Sequence, residues 1–307
     1  MSNHAAGDGH DHVAPPDADR RYLAVALALI VAFLVFEVVA AVVGRSLTLL
    51  ADAGHMLTDV GALAASLIAA RLATRPPSET HTFGLKRAEI LAAAGNAITL
   101  LIVSAVVTFE AVVRLIHPET VHGAWLIVVA VVGVAVNVAA TMTLSRANRR
   151  SLNVEGAFQH ILTDLYAFIG TVVAGIVIVT TGFDRADPIA SLVVVALMVR
   201  AAVGLLRPAL RILVEATPEE VELAEVRRHI LEVAEVVSVH DLHAWTLTSG
   251  LPVLSAHVVL SDGCASTGDA AQVLDRLQAC LAGHFDVEHS TFQLEPIGHQ
   301  EHESGLH

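Results

Sequence analysis

Apolar residues fill the first two thirds of the chain in unbroken runs rather than in stripes. Runs of about 20 residues or more, enough for a helix to cross ~30 Å of hydrocarbon, recur near 22–44, 48–72, 89–113, 123–144, 154–181 and 186–206. The second and fifth each carry a His and an Asp inside the run, and the sixth is shortened by flanking charges. After Arg211 the pattern changes. Pro218-Glu219-Glu220 opens an amphipathic segment that predicts a helix to about Ala234, with Thr217 as its N-cap. Residues 236–247 and 252–260 predict strands, 267–283 a second helix and 287–294 a last strand.

These elements define a mainly α membrane protein: six transmembrane helices followed by a small α+β domain. The order αββαβ suits a sandwich with helices on one face of a sheet. In the second strand Leu254, Ala256 and Val258 alternate with Ser255, His257 and Val259. His257 therefore points away from the apolar layer if that layer meets the helices. Four segments follow: a His-containing tail at 1–21, a membrane domain at 22–206, the αββαβ domain at 207–296 and a second tail at 297–307. The ends, 1–19 and 297–307, are rich in His, Asp, Glu and Gly and read as disordered.

Charge fixes the orientation. Arg20 and Arg21 precede the first span, Arg71, Arg75, Lys86 and Arg87 separate the second from the third, and Arg146, Arg149 and Arg150 the fourth from the fifth. Arg207 and Arg211 follow the sixth, whereas the alternate loops hold only Arg45, Arg114 and Arg185. Positively charged loops stay inside, so both termini are expected in the cytoplasm. Residues 1–21 are polar and the first apolar run is too long for a signal-peptide core, so no cleaved leader is expected.

Composition agrees. Of 307 residues, 54% are hydrophobic and 16% charged, against about 25% charged in soluble domains. A net charge of −13 with 17 histidines argues against nucleic acid, which needs a basic surface. Cys264 and Cys280 form no CxxC pair, and a reduced cytosolic setting is expected.

The chemistry sits in two similar motifs. The second span contains His55-Met-Leu-Thr-Asp59 and the fifth His160-Ile-Leu-Thr-Asp164. Residues four apart share a helix face, so each motif presents an imidazole and a carboxylate together. The two spans run in opposite directions. Laid face to face they supply two nitrogen and two oxygen ligands, enough for a tetrahedral Zn²⁺ shell. One such pair alone fits an interhelical hydrogen bond as well as a ligand set. Two near-identical pairs, near the bilayer centre where ionisable groups are costly and usually functional, point to one shared metal site.

Asp52 either guides ions at the mouth or caps the helix start. Glu37 and Asn137 are explained by packing or interhelical hydrogen bonds as well as by function. Trp125 reads as an interfacial anchor and Trp245 as domain core. His4, His10 and His12 either gather metal or sit on a solvated tail.

At this point the chain resembles the cation diffusion facilitator family, in its branch of bacterial zinc and heavy-metal exporters. The resemblance rests on Leu50-Ala-Asp-Ala-Gly-His-Met-Leu-Thr-Asp59, on His81-Thr-Phe-Gly84 with Arg87-Ala-Glu89, on His160 to Asp164, and on Val239-His-Asp-Leu-His-Ala-Trp245. It implies an inner-membrane homodimer of six-helix protomers, each with a cytoplasmic metallochaperone-like domain. It also implies export of the divalent metal in exchange for protons through His55, Asp59, His160 and Asp164. The cytoplasmic domain would hold further zinc, structural or regulatory, through His240, His257 and Glu295, with His289 as a fourth ligand. Some members carry another site in the loop between spans two and three. This chain keeps His81 but has Leu85 where a second His would stand, and Ser78-Glu79 near the Asp position. At most a weak site is expected there.

Mixed nitrogen and oxygen ligation suits Zn²⁺, Co²⁺ or Cd²⁺ better than Mg²⁺ or Ca²⁺. Neutral imidazole and ionised carboxylate bind metal, so protons compete for the same groups. Three rivals are weaker. An intramembrane metalloprotease lacks its HExxH signature, a metal-sensing scaffold leaves the intramembrane ligands unexplained, and a channel needs no tight four-ligand site.

Overall fold

The computed structural model describes residues 16–43, 47–117, 123–261, 269–285, 287 and 289–302. Two compact units divide the chain between Leu205 and Leu206.

The first unit holds α1 (Pro16–Val43), α2 (Leu47–Ala73), α3 (Ala88–Ile116), α4 (Gly123–Leu144), α5 (Leu152–Thr181) and most of α6 (Ala186–Leu213). All six are long and apolar enough to cross a membrane. On α1 the buried positions are Leu23, Ala26, Ile30, Phe33, Glu37 and Ala41, a stripe at steps of three and four residues. Its other faces expose Val25, Val35, Val39, Val42 and Val43. A surface of exposed valines would be a liability in water and is what a helix presents to lipid.

Helix α1 packs on α2 and α4, and α5 packs on α3 and α4. Small residues set the close approaches. A Cβ on Gly133 of α4 would come within 2.7 Å of the Phe168 ring of α5. A cluster of Leu100, Val194, Met198 and Ala202 joins α3 to α6.

The second unit contains the end of α6, then α7 (Leu223–Leu231), β1 (Val236–Thr248), β2 (Leu251–Leu260), α8 (Asp269–Phe285) and β3 (His289–Pro296). The sheet order is β1-β2-β3, with β1 and β2 antiparallel and β2 and β3 parallel. Gly250, at φ 74°, makes the tight hairpin turn, where a left-handed backbone costs glycine nothing. Helices α7 and α8 bury Val226, Ile230, Val273, Leu277 and Leu281 against Leu254, Ala256 and Val258. His257 lies on the opposite face, as its alternation with those residues requires.

Several expected boundaries shift. Helix α1 begins at Pro16, before the expected 22, because Pro suits the first turn and the Asp19 carboxylate complements the helix dipole there. Asp19 also accepts a hydrogen bond from the Asn148 backbone N–H at 2.8 Å, so residues 16–19 are not a disordered tail. At the other end residues 299–302 form a 3-10 turn. Helix α7 starts at Leu223, not beside Thr217. Pro218 instead heads a turn closed by the Val221 N–H, 3.2 Å from its carbonyl, and buried Val221 joins the domain core. Residues 1–15 and 303–307, including His4, His10 and His12, lie outside the described residues, as does Cys264, and Cys280 is half-buried on α8.

Candidate metal centres

Two groups of metal-ligating side chains occur among the described residues: Asp59 with His160 and Asp164, and His240 with His257 and Glu295. In each, the ligand atoms lie within 4.8 Å of one another.

The first group joins α2 to α5. His160 is buried, 2% exposed, and its Nε2 lies 2.8 Å from Asp59 Oδ1. Asp164 stands one turn further along α5, on the His160 face. His55 occupies the equivalent place on α2, four residues before Asp59; its side chain lies outside the described residues, as do those of Asp52 and Trp125.

A cavity of about 200 Å³ adjoins this group. Its lining runs from Asp59, Thr163 and Asp164, past Phe168, to Ser191 and Asp187 at the N-terminal end of α6. Asp187 pairs there with Arg114 at 3.6 Å. Toward the opposite end of the bundle the helices are pinned together. Two turns from Asp59 along α2 lies Ser66, and two turns back from His160 along α5 lies Asn153, roughly 10 Å from the ligands in each case. Asn153 Nδ2 donates to the Ser66 carbonyl at 2.8 Å, and Asn96 Nδ2 of α3 donates to Ser66 Oγ at 2.9 Å. All three residues are buried. A groove of about 410 Å³ on the α5–α6 face, carrying Glu155, Gln159 and Arg200, meets the cavity lining at Thr163.

The second group occupies the sheet face turned away from α7 and α8. His240 on β1 sits opposite His257 on β2, and His257 sits opposite Gln293 on β3. Glu295 is 1% exposed beneath both imidazoles. Its Oε2 is 3.1 Å from His240 Nε2, and its Oε1 is 2.8 Å from His257 Nδ1. Gln293 Nε2 donates to the same Oε1 at 2.8 Å. Two ring nitrogens converging on a buried carboxylate form a donor set that fits Zn²⁺. His289 is not brought into it. It lies opposite Val253, six residues along β3 from Glu295 and thus about 20 Å away.

The loop between α2 and α3 holds no such group. His81 is exposed, its Nδ1 3.0 Å from Thr80 Oγ1, and no described trio of ligands includes it. Glu37 is buried on the packing stripe of α1, and Asn137 Nδ2 donates to the Gly133 carbonyl of its own helix at 3.0 Å.

Sequence reasoning singled out the ligands of both groups but missed Ser66, Asn96, Asn153 and Asp187. Asn96 and Asn153 stand inside or at the edge of apolar runs, a signal that could have found them.

Comparison with known proteins supplies the remaining context. The description "Cation efflux transmembrane domain" matches residues 23–214, and "Cation efflux protein, cytoplasmic domain" matches 218–297. The metal cation efflux system protein CzcD of Cupriavidus metallidurans is 40% identical, covering 94% of this chain and 90% of its own. The zinc transporter ZitB of Escherichia coli is 36% identical over 93% of this chain and 91% of its own. A cadmium, cobalt and zinc/H⁺-K⁺ antiporter of Bacillus velezensis is 34% identical over 95% and 93%. A solved structure, the metal-bound C-terminal domain of the CzcD transporter from the Cupriavidus species, is 44% identical over 24% of this chain and 99% of its own, with a TM-score of 0.23. The two matches together span most of the chain, which belongs to the cation efflux, or cation diffusion facilitator, family of multi-pass membrane metal transporters.

Proposed function

We propose that the chain exports a divalent transition metal, with Zn²⁺ its principal cargo, in exchange for protons. The ion is held between α2 and α5 by His55, Asp59, His160 and Asp164. The observation that carries this reading is the pairing of Asp59 with buried His160 beside Asp164, on the wall of a cavity that reaches Asp187. Two nitrogens and two oxygens favour Zn²⁺, Cd²⁺ or Co²⁺ over hard cations. The names of the relatives point the same way: a zinc transporter, and an antiporter of cadmium, cobalt and zinc.

The ligands bind metal only when deprotonated, and imidazole titrates near neutrality. An ion leaving toward Asp187 frees His55 and His160 to take protons from that side. The loaded imidazoles then lose their protons to the cytoplasm when the other side opens. Opening requires Ser66 to part from Asn153 and Asn96, so these bonds form the closed gate of the arrangement seen here. Rocking of helices about a fixed midplane site alternates access. The arginine-rich loops support a cytoplasmic position for both termini, the gate and the αββαβ domain in a bacterial inner-membrane protein.

The sheet-face centre holds a resident Zn²⁺ on His240, His257 and Glu295. That domain brings two protomers together as a homodimer, in keeping with the name of the family it matches, ZT_dimer. A scaffold that only senses metal would use this centre but would have no use for a cavity leading to intramembrane ligands.

Zinc flux into proteoliposomes under an imposed pH gradient tests the exchange. Flux should rise with the gradient and fall when a protonophore collapses it. Flux indifferent to the gradient would identify a channel instead.

A further inference from the structure

The sheet-face centre contains a backbone feature that its proposed ligands do not account for. Strand β1 pairs regularly with β2 from Ser238 to His240 opposite His257, then resumes one residue out of step with His243 opposite Ser255. The break is a β-bulge, and its first residue, Asp241, has φ 49°. Glycine is the residue that ordinarily fills a left-handed bulge position, because any Cβ there is strained. Asp tolerates the conformation better than most residues but still at a cost. The bulge has a second effect. Strict alternation would send His240 and His243 to opposite faces, whereas the extra residue puts both on the face of His257.

The side chain shows what the strain achieves. Asp241 Oδ1 lies 2.9 Å from His243 Nε2, and Oδ2 lies 3.7 Å from His257 Nε2. The other nitrogen of His257, Nδ1, is the one beside Glu295. A continuous row results: His243, Asp241, His257, Glu295, His240. A metal-bound imidazole typically donates its second ring N–H to a carboxylate, which fixes its tautomer and ring orientation.

We propose that Asp241 is the positioning residue of the cytoplasmic metal centre. It faces His257 Nε2 so that Nδ1 is presented to the metal, and it is itself held by His243. This rests on the reading of His240, His257 and Glu295 as metal ligands. Neither Asp241 nor His243 touches the ion. The bulge exists to aim the carboxylate, which explains why the position carries Asp rather than the less strained Gly.

The two roles of Asp241 separate in one experiment. Zinc binding is titrated on the full-length protein carrying Asp59→Ala and Asp164→Ala, so that the intramembrane centre is silent. Metal-free melting temperatures are measured on the same samples. Asp241→Gly should keep or raise the melting temperature, because it relieves the left-handed residue, while weakening the sheet-face zinc site by about 10- to 100-fold. Asp241→Asn, which keeps the shape and an acceptor oxygen but not the charge, should fall between. His257→Ala defines the signal by abolishing it. Wild-type affinity in Asp241→Gly together with loss in His257→Ala would overturn the positioning role alone. Retained affinity in His257→Ala would overturn the underlying ligand assignment. A metal-free destabilisation of Asp241→Gly and Asp241→Asn in proportion to their loss of affinity would show a structural residue and equally overturn the proposal.

Discussion

The two proposed metal centres share their side-chain chemistry and differ in everything around it. Between α2 and α5, His160 is 2% exposed and Asp59 and Asp164 line a cavity. On the sheet face the imidazoles are 16% and 22% exposed over a buried Glu295. The first group sits between two helices, with a cavity reaching Asp187 toward one end and the Ser66, Asn96 and Asn153 bonds toward the other. The second sits on three hydrogen-bonded strands whose register fixes its ligands. The same side chains therefore suit transit in one place and residence in the other. On the proposed reading, the surrounding packing rather than the ligand set separates transport from residence.

Equilibrium zinc binding gives the largest test of that contrast. Asp164→Ala should remove the intramembrane class of sites and spare the sheet-face class, and His257→Ala should do the reverse. Each loss should exceed the ~10- to 100-fold change typical of removing a supporting residue. Simultaneous loss of both classes in either variant would mean the centres are one coupled system.

Packing next to the cavity is the second lever. Gly133→Ala would force its Cβ against the Phe168 ring, and overpacking of this kind costs about 1–3 kcal/mol. The detergent-solubilised variant should melt several degrees lower, with flux reduced because Phe168 also lines the cavity. An unchanged melting temperature would show that the ring has room to move.

The gate should respond more gently. Asn153→Ala removes one interhelical hydrogen bond at 2.8 Å, worth about 0.6 kcal/mol by membrane-protein precedent. A small loss of thermal stability is expected, with zinc affinity at the intramembrane centre unchanged and the transport rate altered a few-fold. Thiol labelling of a cysteine placed at Ser66 should speed up in the Asn153→Ala background if this end of the bundle opens. Equal labelling in both backgrounds would remove these bonds from the gating account.

The smallest effect belongs to the sheet domain's surface. The hydrogen bond from Arg276, at 2.7 Å, holds the Glu235 carboxyl below its ordinary range. Its contribution is complete above the ordinary Glu range and is lost as pH falls through the lowered folded-state value. Melting temperatures of wild type and Glu235→Gln should differ slightly at neutral pH and converge on acidification.

The six spans and the αββαβ order were legible because long apolar runs and period-two alternation are local properties. So were His160, Asp59 and Asp164, since repeated His-x-Leu-Thr-Asp spacing puts them on facing helices. The start of α7 was not, because Pro218 and Glu219 look like a helix opening until buried Val221 claims the turn. His289 was misplaced because residue type says nothing of register; only the pairing with Val253 shows how far along β3 it lies. Asp241 carries no sequence signal of its left-handed backbone beyond being a residue that tolerates one. Asn96 and Asn153 were readable as polar groups in apolar surroundings, but their shared partner Ser66 emerges only when three helices are assembled.

Zinc flux through Asp59→Ala in proteoliposomes tests the central claim most directly. The account predicts a folded protein with wild-type melting behaviour, zinc still bound at the sheet face, and no flux above protein-free vesicles at any pH gradient. Flux at the wild-type rate would contradict it and move the transport path away from α2 and α5.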